Sequence, residues 1–154
     1  MFQEVLLNPQ KPDDIEAAYE AKTAIDCLDE DISQIKNIEE KKKAKELLSH
    51  YVSLCEKYVE TIYATELIKE HQPKDLETHL LNLEKQRKDL HNQIKDALKE
   101  LTRIIIDHNG HEGKWIDYVK NNSLSQNREK ISWLAICTAK WQELQNRLNQ
   151  STIH

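Results

Sequence analysis

Glycine is nearly absent from this chain: Gly110 and Gly113 are the only two, and both fall in Asp107-His108-Asn109-Gly110-His111-Glu112-Gly113. A glycine costs a helix interior about 1 kcal/mol relative to alanine and readily supplies the positive φ that ends helices. A chain that confines its glycine to one stretch is expected to be mostly helix and to break there, with Gly110 or Gly113 in a left-handed, helix-ending conformation. Proline is equally sparse, at Pro9, Pro12 and Pro73. No apolar run approaches the ~18 residues of a membrane span, so stable membrane insertion is not expected. The first twelve residues contain Phe2, Val5, Leu6 and Leu7 but no basic leader, which argues against a secretory signal. The three cysteines, Cys27, Cys55 and Cys137, are odd in number and far apart. Buried thiols in a cytoplasmic protein are the simplest expectation.

What is present fits one helical domain. Leu, Ile, Val and Phe together make about a quarter of the 154 residues, above the ~20% level below which charged chains stay disordered. The net charge of −5 argues against nucleic acid as a partner. Its distribution is uneven. Residues 13–31 carry Asp13, Asp14, Glu16, Glu20, Asp26, Asp29, Glu30 and Asp31 against Lys22 alone, and Lys41, Lys42, Lys43 and Lys45 follow. Two solvated helix faces attracting each other across a bundle explain this pattern. An acidic dock for a cationic protein partner, centred on Asp26, Asp29 and Glu30, is the functional alternative.

Helices are expected near 13–36, 38–71, 73–108 and 124–150, with a short helix at 114–120, an N-terminal arm over 1–12 and a tail over 151–154. Asp13 with Glu16, Asn37 with Glu40, and Ser123 with Gln126 have capping-box spacing. A single bent helix through residues 13–71 is the alternative to a break at Asn37. The inner stripe of the first helix reads Ile15, Ala18, Tyr19, Ile25, Leu28, Ile32 and Ile35. That of the last reads Ile131, Leu134, Thr138, Trp141, Leu144 and Leu148. In the third helix Leu76, Leu83, Leu90, Ala97 and Ile104 recur every seven residues, and Leu80, Arg87, Ile94 and Leu101 fill the companion series. The expected fold is an all-α antiparallel four-helix bundle with a long central hairpin, whose seam could also support a homodimer.

Catalytic chemistry finds little anchorage. A di-iron bundle needs Glu-x-x-His motifs, and none of the seven histidines has a glutamate three residues before it. No nucleophile elbow, phosphate loop or cofactor motif occurs. Asp107, His108, His111 and Glu112 are the candidate metal ligands, for a metal-binding protein or metal-dependent hydrolase. A polar helix end explains the same residues without an ion. Trp115 beside Tyr118 would mark a binding patch if exposed, since interface hot spots favour Trp and Tyr. In size and charge style the chain is similar to small helical-bundle immunity proteins and antitoxins. No motif carries that likeness, so it implies architecture and assigns no site. The sequence therefore leads to a non-enzymatic cytoplasmic protein acting through protein–protein interaction.

Overall fold

A computed structural model describes residues 11–153, with side chains to residue 150. They form an all-α bundle of five helices, α1 (Asp14–Ser33), α2 (Ile38–His71), α3 (Leu76–Asn109), α4 (Lys114–Asn121) and α5 (Arg128–Ile153), with no strand among them. The expected arm before Lys11 lies outside the described residues.

Local chemistry sets the boundaries. Asp13 Oδ1 accepts from the Glu16 amide at 2.8 Å and opens α1. Asn37 Oδ1 accepts from the Glu40 amide at 3.0 Å, so the chain breaks at Asn37 and a single bent helix is excluded. Lacking glycine, α2 ends with Gln72 itself in the left-handed region. Pro73–Asp75 then form a turn, and α3 starts three residues later than expected. Ser123 does not open the last helix. It has φ +47°, and the bonds Ser123 N–H to Lys120 O and Leu124 N–H to Val119 O close α4 as a Schellman motif, with Leu124 buried behind it. Asn127 caps α5, accepting from the Lys130 amide at 3.0 Å. The last helix runs through Ile153, past the expected end.

Two antiparallel pairs are visible in the contacts. Arg87 reaches Thr61, and His108 lies beside Glu40, which sets α2 against α3. Lys130 pairs with Glu20, and Lys140 with Asp14, which sets α1 against α5. Tyr51 and Tyr58 of α2 bond Thr138 and Ser132 of α5 at 3.2 and 2.7 Å, tying the pairs together. The inner face of α1 differs from expectation at its start: Ile15 and Tyr19 are 83% and 74% exposed, whereas Ala17, Ala21 and Ala24 are buried. The small side chains of Ala17 and Ala21 pack with Cys137 between Trp133 and Trp141, letting α1 approach α5 closely. Leu148, expected inside, is exposed. Conversely α5 is buried on nearly all sides over 131–139, which makes it the central helix of the body.

Candidate interaction surfaces

The acids of α1 divide into structural and exposed groups. Asp31, in step with Leu28 and Ile35 on the inner face, is buried and caps a different helix. Its carboxylate accepts from the amides of Lys114 (3.2 Å) and Trp115 (2.9 Å) at the start of α4, and its backbone carbonyl accepts from Asn109 Nδ2. The cap position of α4 is Gly113, which has no side chain to supply this. Close contact rather than backbone conformation favours glycine there. Its backbone is extended, but a Cβ would lie 2.6 Å from Asp31 Oδ2. Sequence reasoning missed this pair, although an acid at inner-face spacing and a helix opening on glycine were both legible.

Glu20 accepts from Lys130 Nζ at 2.5 Å and Tyr118 OH at 2.7 Å. Burial pushes its carboxyl up, but those two partners together outweigh it and hold the pKa below the usual value. Burial, then the bond to Glu20, raises the Tyr118 hydroxyl far above its ordinary range. Asp26, Asp29 and Glu30 remain exposed on α1. Asp26 is 3.3 Å from Lys22 Nζ, and Glu30 is 2.7 Å from Lys114 Nζ, which raises the Lys114 pKa. Asp29 forms no ion pair among the described residues, and partial burial followed by the Asp26 charge raises its pKa.

Trp115 and Tyr118 are not an exposed patch. Trp115 is fully buried and Tyr118 nearly so, their rings stacked with centroids 5.3 Å apart. The indole N–H donates to Thr102 Oγ1 at 2.9 Å, so both aromatics bind α4 to its neighbours. The glycine stretch forms the end of α3. Asp107 is held by Arg103 at 2.8 Å, His108 Nε2 is 3.9 Å from Glu40, and His111 and Glu112 are exposed. Among the described residues no group of three or more His, Cys, Asp or Glu could hold a metal ion. Gly110 ends α3 at φ +86°, ψ −169°, a region open essentially to glycine alone but outside the left-handed helical well. Burial raises all three thiols, Cys137 to about 12, so none is a poised nucleophile.

The largest departure from a closed bundle is the far end of the α2–α3 hairpin. Arg87, the charged interruption in the heptad seam, is fully buried, and its guanidinium donates to Thr61 Oγ1 (3.1 Å), Thr61 O (2.8 Å) and Thr65 Oγ1. Beside it His91 lies against the Arg128 carbonyl at 3.2 Å. Between Thr65 and Arg87 no side chain is buried. Leu67 and Leu81 are 56% and 65% exposed there, and a groove of about 340 Å³ runs among Thr65, Lys69, Glu77, Leu80, Leu81 and Glu84. Among the described residues no helix is long and apolar enough to cross a membrane. Comparison with family models, with curated proteins and with solved structures finds no match.

Proposed function

We propose that this chain is a helical binding protein that engages a protein partner through the projecting end of its α2–α3 hairpin. One observation carries the reading: among the described residues, two paired helices continue past the body with Leu67 and Leu81 more than half exposed. Exposed leucines clustered at such an end mark a contact surface. The groove between the helices suits an amphipathic helix of the partner, read by Leu80 and Leu81 and flanked by charges of both signs. The function is occupancy of a surface, with no substrate turned over.

A second reading rests on Asp29, exposed beside Asp26 and Glu30 without an ion pair of its own among the described residues. It assigns a cationic partner to the outer face of α1. The two are separated by affinity capture with L67E/L81E and with D26K/D29K/E30K, each checked for native helicity. A partner lost from the hairpin variant and kept by the α1 variant supports the first reading. The opposite pattern supports the second, and a partner kept by both contradicts each. Light scattering over a range of concentrations identifies the case in which that partner is a second copy of the chain.

A further inference from the structure

Helix α3, helix α4 and the turn into α5 enclose a cleft of about 280 Å³, on a different part of the molecule from the hairpin end. Its floor is apolar. Leu98, Leu124 and Ile131 are buried, and Val119 packs against the same core. Among the described residues its only charged lining is Lys95 and Lys99, one helical turn apart on α3, and Ser125 adds a hydroxyl. No acid among the described residues lines it, although the chain has 27 acids against 22 lysines and arginines. The hairpin groove (Lys69, Glu77, Glu84) and the crevice beside Pro12 (Lys11, Lys140, Glu143) are lined by both signs. Neither Lys95 nor Lys99 forms an ion pair among the described residues, so neither is already neutralised by a carboxylate.

We infer that this cleft binds a small amphipathic carboxylate, an unbranched acid of medium chain length. Its hydrocarbon tail lies on Leu98, Val119, Leu124 and Ile131, and its carboxylate sits at the rim between Lys95 and Lys99. The apolar floor favours a hydrocarbon because the contact removes water from both surfaces. Two ammonium groups at i and i+4 repel each other, and an anion placed between them converts that repulsion into two attractions. The volume is at the low end of ligand pockets, which fits one narrow chain rather than a fused ring system or a nucleotide. Occupancy has a built-in reporter. Thr102, which lines the cleft, accepts the indole N–H of Trp115 at 2.9 Å, so a tail seated there perturbs a buried tryptophan.

The test is calorimetric titration of the intact chain with decanoate and decyltrimethylammonium below their micelle concentrations and with 1-decanol below its solubility limit, with tryptophan emission followed in parallel. The expected result is one-to-one binding of decanoate, tighter than decanol, with the cationic amphiphile weakest. K95Q/K99Q should weaken decanoate about tenfold and leave decanol unchanged, since two partly exposed ion pairs are lost. V119W, which fills the cleft, should abolish binding with helicity retained, and L67E/L81E should bind as the parent does. Decanoate that binds no tighter than decanol, that ignores K95Q/K99Q, or that fails to bind the native chain overturns the assignment.

Discussion

The near and far halves of the α2–α3 hairpin share one sequence pattern and meet different surroundings. In the near half, Ile94, Ala97, Leu101 and Ile104 repeat at heptad spacing and are buried, because α5 and α4 complete the layer over them. In the far half, Leu76, Leu80 and Leu83 keep the same spacing and remain half-buried, because no third helix among the described residues reaches them. The boundary is polar: Arg87 bonded to Thr61 and Thr65, and His91 against the α5 terminus. Heptad periodicity fixes which faces of two helices meet. Whether that pair is then covered depends on the length and placement of elements elsewhere in the chain, here a 20-residue α1 and a 26-residue α5 beside two 34-residue helices.

The widest gap between the halves should appear on truncating core positions. Ile94→Ala is expected to cost about 2–5 kcal/mol by denaturant unfolding, as a methylene-lined void opens where packing is complete. A cost below that range would show that the near half is looser than described. Gly113→Ala should cost about 1–3 kcal/mol, because the new methyl displaces the Asp31 carboxylate that caps α4. A neutral outcome would remove Asp31 as the cap. At the boundary, burial lowers the pKa of His91 below its usual 6.5. The unfolded chain therefore takes up a proton that the folded chain resists, so stability is complete above pH 6.5 and declines as the pH falls through that value. H91Q should flatten this slope between pH 7 and 5, and an unchanged slope would place the titration elsewhere. Leu81→Ala in the far half should fall within about 0.5 kcal/mol of the parent. A loss comparable to Ile94→Ala would mean that Leu81 is covered in the free chain.

Much of this fold was legible in the residues. The scarcity of glycine, the Asp13 and Asn37 caps and the heptad spacing from Leu76 to Ile104 gave helices whose ends match within a few residues. The misreadings share one cause: a local signal has two uses. Ser123 with Gln126 has the spacing of a helix start, but Ser123 adopts the left-handed conformation that ends α4. Ile15 and Tyr19 are larger than Ala17 and Ala21, yet close approach to α5 selects the alanines. Trp115 could anchor a surface or a core, and only the placement of α4 against Thr102 and Asp31 decides for the core. The lysine-lined cleft lay beyond sequence reasoning, since its walls come from three elements up to 36 residues apart, Lys95 to Ile131.

Native-state hydrogen exchange along α2 and α3 tests most directly whether burial stops at the Arg87 layer. Amides of residues 51–62 and 94–105 should exchange only through global unfolding. Those of residues 66–71 and 78–86 should exchange through local opening, faster by at least about two orders of magnitude. Equal protection along the full length of both helices would show that the far end is covered in the free chain and would contradict its role as an open binding surface.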